Sequence, residues 1–278
     1  MTTHKISGKY LMALLVQALL HTGFVAAQQI DYTGSVSPTP PGGSSWHIGG
    51  AGLLAVGYTG NGTLTISGGA QVSNEQSGIL GYGTGVTGEV TVDGDGSTWT
   101  SNYINVGRMG TGILTVSNGG YVSSNYSIVL GDLDGASGKA IVDGVGSTLH
   151  ANGGFFVGGD SYGELHITNG GLVSNSASAG VALSVYNVTE TRKAFVTGTG
   201  EGGVASRWII GEELFVGRYQ RSSGELHITD GGQVSSNGGK LGEWEDSIGK
   251  ITIDGKNSTW TNNGNLHVGI EGSATLAL

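Results

Sequence analysis

A block of about fifty residues recurs along the chain, and this repetition restricts the fold more than any other feature. A Val-Gly pair stands at Val56-Gly57, Val106-Gly107, Val157-Gly158, Val216-Gly217 and Val268-Gly269, at spacings of 50, 51, 59 and 52. After each of the first four pairs comes a short segment and a Gly-Gly turn: GTLTISGG (62–69), GILTVSNGG (112–120), GELHITNGG (163–171) and GELHITDGG (224–232). A Val-Ser pair follows, at Val72, Val122, Val173 and Val234. A second segment closes the unit: GEVTVDGDGSTW (88–99), GKAIVDGVGSTL (138–149) and GKITIDGKNSTW (249–260). The third copy is degenerate, RKAFVTGTG and then SRW (192–200, 206–208), and GSSWHIGG (43–50) is the remnant of an earlier unit.

Within each segment apolar and polar residues alternate, as Leu64 and Ile66 do with Thr63 and Thr65. A period of two marks a strand with one buried face. The strands hold four or five residues and are punctuated by Gly, Asn and Asp, which tolerate positive φ. One unit exposes an apolar face that it cannot bury alone, so units must stack and form a continuous core. Two strand groups per unit make two coils of roughly 25 residues. This predicts an all-β, right-handed parallel β-helix of about nine coils over residues 43–278, roughly 45 Å long at the usual strand spacing. Propeller blades also run to 40–50 residues, but the strands here are short and Gly-flanked and carry no blade signature.

Composition agrees. Gly is 55 of 278 residues, about three times the usual share, yet the 37 % of apolar residues fall in regular alternation, unlike a disordered chain. Three prolines exclude collagen. The net charge of −9 leaves no basic stripe for a nucleic-acid backbone. Cysteine is absent, so stability must come from repetition and burial. The first 27 residues read as a secretory signal: His4, Lys5 and Lys9, an apolar run from Leu11 to Leu20, then Val25, Ala26 and Ala27 before a cleavage point at Gln28. The run is short for a membrane span. Cleavage would leave 10 Lys and Arg against 21 Asp and Glu, hence −11. Residues 28–42 read as a flexible lead into the repeat.

The pattern L-x-V-G, G-x-L-x-I-x-x-G-G-x-V-S and V-x-V-D-G-x-G-S-T-W resembles the repeat of type V secretion and PEP-CTERM proteins, found in passenger domains of autotransporter adhesins. The resemblance covers residues 43–278. It implies a β-helical passenger at the surface or outer membrane of a Gram-negative bacterium, or secreted from it. It implies no catalytic residues and no cofactor. Partners would be host cells, matrix or like molecules. Such proteins end in an outer-membrane barrel or a sorting signal, and neither is present. The chain stops at Leu278 within a Leu-Thr strand and therefore reads as truncated, with membrane contact only through a barrel outside it.

The recurrent polar residues admit chemical readings that repetition weakens. Asp93, Asp143 and Asp254 occupy one slot per unit, whereas catalysis needs carboxylates in unlike environments; Asp before Gly is a turn former. Asp95 would complete a calcium loop with Asp93, but Val145 and Lys256 replace it elsewhere. Trp46, Trp99, Trp208 and Trp260 form either a sugar-binding ladder or a packing slot, and Leu149 in the remaining copy favours packing. His166 and His227 take an outward strand position. The informative irregularity is the 59-residue third unit, with extra residues near 186–193 and 201–205. It gathers Tyr186, Glu190, Arg192, Lys193, Glu201 and Arg207 in a charge-poor chain. A second distinctive loop is Glu243-Trp244-Glu245-Asp246. Insertions in solenoids fall on loops that carry binding, so both loops are candidate interaction sites, sharing a face. The function expected is a structural stalk or adhesin. The alternatives are a polysaccharide-acting β-helix enzyme and a truncated remnant without activity.

Overall fold

A computed structural model describes residues 28–50, 52–183 and 190–278. The expected signal segment, with Ala27, lies outside the described residues, and so does Tyr186.

The chain winds into a β-solenoid of nine coils, each contributing a strand group to three faces. The long face is a ten-stranded sheet. Its strands from Gly62–Ser67 to Ser273–Ala277 are all parallel, one per coil. The second face runs from Ser45–Ile48 to Thr259–Asn262, and the third from Leu54–Val56 to Leu266–Val268. In two coils a single strand, Gln71–Leu80 or Thr98–Val106, serves both of these faces. Among the described residues the only helical element is the short 3-10 turn Glu201–Gly203.

Strand alternation becomes columns of equivalent residues. On the long face the core column reads Leu64, Val90, Leu114, Ala140, Leu165, Ala194, Leu226, Ile251 and Leu276. The two strand groups of a unit therefore interleave, and Leu64 meets Leu114 only across Val90. All but the last are buried. Full burial of such a side chain stabilises by about 1.5–3 kcal/mol, so the core is spread evenly along the rod.

Tight corners need glycine. Where the third face turns into the long face, Gly57, Gly81, Gly107, Gly131, Gly158, Gly217, Gly242 and Gly269 all have positive φ; the third unit has Ala182 at φ 66° instead. The glycine that opens a long-face strand faces the corner backbone of its own coil and of the coil before. A Cβ on Gly88 would lie 1.9 Å from the Val56 carbonyl oxygen. Arg192 takes this slot in the third unit, and its consequences appear below.

The serine of the G-S-T-W motif ties neighbouring coils. Ser97 Oγ donates to the Asp93 carbonyl (2.6 Å) and accepts from the Gly69 N–H (2.9 Å). Ser147, Ser206 and Ser258 repeat this bridge with Gly119, Gly170 and Gly231.

Residues 28–42, read from the sequence as a flexible lead, carry two strands. Gln29–Gly34 pairs antiparallel with Gly62–Ser67, and Val36–Ser37 pairs antiparallel with Leu54–Val56. Ile30 and Val36 are buried. This segment covers the first coil, whose strand edges and apolar column would otherwise face solvent. Only Ile30, Tyr32 and Val36 are apolar there, too few to show a period.

Candidate interaction surface

The recurrent residues engage neighbouring coils. Asp93 accepts from Ser117 Oγ (2.6 Å) and Asn118 Nδ2 (2.7 Å) of the next coil. Asp143 accepts from Thr168 and Asn169 in the same way. These carboxylates hold successive turns in register.

The Trp slot lies in the core. The second-face column reads Trp46, Val72, Trp99, Val122, Leu149, Val173, Trp208, Val234 and Trp260. Trp99 and Trp208 are fully buried. Their indole N–H groups donate to Asn74 Oδ1 (3.0 Å) and Asn175 Oδ1 (3.2 Å), and that of Trp260 donates to Ser236 Oγ (3.0 Å). The ring room comes from the coil before. A Cβ on Gly78 would stand 2.2 Å from Trp99, and one on Gly239 2.7 Å from Trp260. Ala179 fills the equivalent position before Trp208, and Ile128 fills it before the smaller Leu149.

The third-unit irregularity falls on two corners, and it shares one of them with Glu243–Asp246. Glu201, exposed on the 3-10 turn, lies between the long and second faces, and Arg207 is an exposed outward residue of the second face. Glu190 is exposed, and Glu243–Asp246 lies at the corner between the third and long faces. The expectation of one shared face is therefore corrected in part. Glu190, between Ala179–Val181 of the third face and Arg192–Thr197 of the long face, lies at the same corner as Glu243–Asp246; only the Glu201–Arg207 part of the third-unit irregularity lies elsewhere around the coil. Lys193 stands on the long face rather than in a loop.

Arg192 is the larger correction. The sequence places it in an exposed charged loop; the structure buries it completely. It occupies the glycine slot of the long-face strands, with its stem against Gly158. Nε donates to the Ser161 carbonyl at 2.9 Å, while Nη1 and Nη2 have no hydrogen-bond partner among the described residues. Burial pulls its pKa down to about 10, against the opposing charges of Asp160 and Glu190. Aligning both strand groups of every unit, rather than one, exposes Arg192 as the departure from a glycine column.

The corner between the third and long faces carries an aromatic and charged ridge. Tyr58 and Tyr82 pack at 4.8 Å, with Arg108 over Tyr82. A groove of about 450 Å3 follows, with Met109, Leu133, Asp134 and Asp160 in its lining. Farther along, Arg218 lies 3.9 Å from the Phe215 ring centre and its Nε is 3.1 Å from Glu243. Lys240 reaches Glu243 (3.2 Å) and Glu213 (3.4 Å). Partial burial alone would lower the Lys240 pKa, but these two carboxylates raise it. Trp244 is 51 % exposed and packs at 6.0 Å on Tyr219; Glu245 and Asp246 beside it are exposed.

On the long face, Glu164 collects Lys139 (3.1 Å), Tyr162 Oη (2.6 Å) and His166. His166 and His227 are outward, as their strand position requires, and sandwich Phe195 at 4.8 and 5.1 Å. Partial burial alone would raise the Glu164 carboxyl. The hydrogen bonds from Tyr162, His166 and Lys139, with the His166 charge, outweigh it and hold the pKa at about 2. Burial and the bond to Glu164 push Tyr162 up to about 12. A depressed carboxylate stabilises the fold above its unfolded pKa, and that stability fades as pH falls through the folded value. The wild-type chain is therefore expected to be more stable than Glu164→Gln above about pH 4.5, the difference shrinking toward pH 2. Unfolding midpoints across that range measure it; a difference unchanged from pH 6 to 2 would contradict the assigned network.

Among the described residues no three His, Asp or Glu side chains are placed to hold a metal, and no helix is long and apolar enough to cross a membrane. No protein-family model, no curated protein and no solved structure matches this chain.

Proposed function

We propose that this chain is a non-catalytic display rod, exported to a bacterial surface as an autotransporter-type passenger region and working as a stalk or adhesin. The observation that carries this reading is a division of labour among the residues. Those that recur are committed to coil stacking: Asp93 and Asp143, the motif serines, the tryptophans. Those that break the repeat, above all Tyr219, Glu243 and Trp244, gather with Arg218 at one corner and leave an exposed tryptophan among charges. Exposed aromatic residues beside Arg are the usual anchors of binding interfaces. The resemblance of the repeat to secreted passengers supplies the exported setting.

The test trims the corner. Glu243–Asp246 is shortened to the length of the Arg108–Met109 turn, circular dichroism confirms retained β structure, and attachment to host cells and matrix proteins is measured. Loss of attachment supports the ridge as the contact. Undiminished attachment would move it to another surface. Cleavage of a polysaccharide by the intact rod would overturn the non-catalytic reading. For export, the protein recovered from a secreting cell is expected to begin at Gln28; a product that retains Met1 in the cytoplasm would refute it.

A further inference from the structure

The outward side of the long face carries a charge pattern with a symmetry of its own. Over five of the nine coils one column, one residue per coil, reads Lys139, Glu164, Lys193, Glu225 and Lys250; Thr63, Glu89 and Ile113 precede the run and Thr275 follows it. The signs alternate and the run is the same in both directions. The next outward column reads His166, Phe195 and His227, also the same in both directions about the Lys193 coil. The lysine side chains are 38 %, 41 % and 43 % exposed. Each carboxylate already meets a lysine of its own chain, Glu164 with Lys139 and Glu225 with Lys193 and Lys250. A carboxylate has about four acceptor sites and a lysine three donors, so further pairing outward remains open.

We propose that two copies of this chain dock long face to long face, with rods antiparallel, about a twofold axis that runs along the strands between the Glu164 and Lys193 coils. An axis parallel to the strands keeps each column opposite its own copy and reverses the coil order. Glu164 then faces Lys193 of the second copy and Lys139 faces Glu225, each twice by symmetry, and Phe195 faces His166. An axis along the rod, with the charge column on itself, would instead set every charge against its like, which is strongly disfavoured. The axis also lies near the middle of the nine coils, so about eight coils overlap. At about 4.8 Å per coil and about 20 Å of strand, each copy contributes on the order of 750 Å2, close to the area of a standard interface. Ile113, Ile141 and Phe195 supply the apolar part; the charges set orientation and register more than affinity. The interface does not involve the corner ridge, so loss of one leaves the other testable.

The experiment uses residues 28–278 in light scattering and sedimentation at up to about 100 μM, the range of a weak complex. The wild type is expected to form a dimer that weakens with salt. Two uniform ladders are then made: Glu164→Lys with Glu225→Lys, and Lys139→Glu with Lys193→Glu and Lys250→Glu. Each alone is expected to dimerise more than about tenfold more weakly, while the two mixed together form a heterodimer. A cysteine pair checks the register without altering the sign pattern elsewhere. Because the chain has no Cys, Lys139→Cys mixed with Glu225→Cys is expected to cross-link under oxidation, and Lys139→Cys alone is not. A monomeric wild type, or a dimer that survives both uniform ladders, would overturn the proposal. Mixed ladders that stay apart while the cysteine pair fails to cross-link would also overturn it.

Discussion

Replacing Trp99 by Ala is expected to lower stability by about 3–5 kcal/mol, the cost of removing a fully buried indole and leaving a cavity. The cavity cannot collapse easily. Gly78 in the preceding coil has no side chain to fill it, and Val72 and Val122 stand above and below in the column. The substitution also leaves the Asn74 side-chain oxygen without its indole donor. Denaturant unfolding measures the loss, which should fall on the middle coils, since stability in a solenoid is a sum of local terms. An unchanged midpoint would put the ring outside the core and revive a sugar-binding ladder of tryptophans.

The converse change tests the packing rule that the structure adds to this slot. In the fifth coil of the column Leu149 stands in place of Trp, and Ile128 stands where Gly78 and Gly239 make room. Leu149→Trp alone is expected to cost about 3 kcal/mol by overpacking, and Ile128→Gly alone about 3–4 kcal/mol by cavity formation. The double variant should lie closer to wild type than either single change, a coupling of about 2–3 kcal/mol between neighbours. Ser124 is placed to accept from the new indole N–H, as Ser236 does from Trp260. Additive losses in the double variant would mean that ring and gap are not partners.

The contrast between these two experiments and the corner loops shows where sequence information runs out. The strands, their inward faces and the nine-coil stack follow from local alternation, because each strand's pattern is complete within five residues. The Asp-Gly turn former and the packing tryptophan were legible for the same reason, since a residue that recurs once per unit must do the same work in every unit. Arg192 was misplaced because its local neighbours, Glu190 and Lys193, are charged, and local composition reads as a loop. Its burial is set by the glycine column of strands about 30 residues away on either side.

Repetition and alternation in the sequence therefore determined the solenoid, its coil length and the residues that point inward, since these rest on steric and hydrophobic patterns within a strand. Three things were decided only by tertiary structure. The antiparallel lead over the first coil depends on pairing with strands 18 to 38 residues away. The division of the third-unit insertions between two corners depends on how far around the coil each lies. The alternating ladder from Lys139 to Lys250 exists only once the two strand groups of each unit interleave, because parallel stacking brings every coil within about 4.8 Å of the next and makes neighbours of residues that the chain keeps far apart.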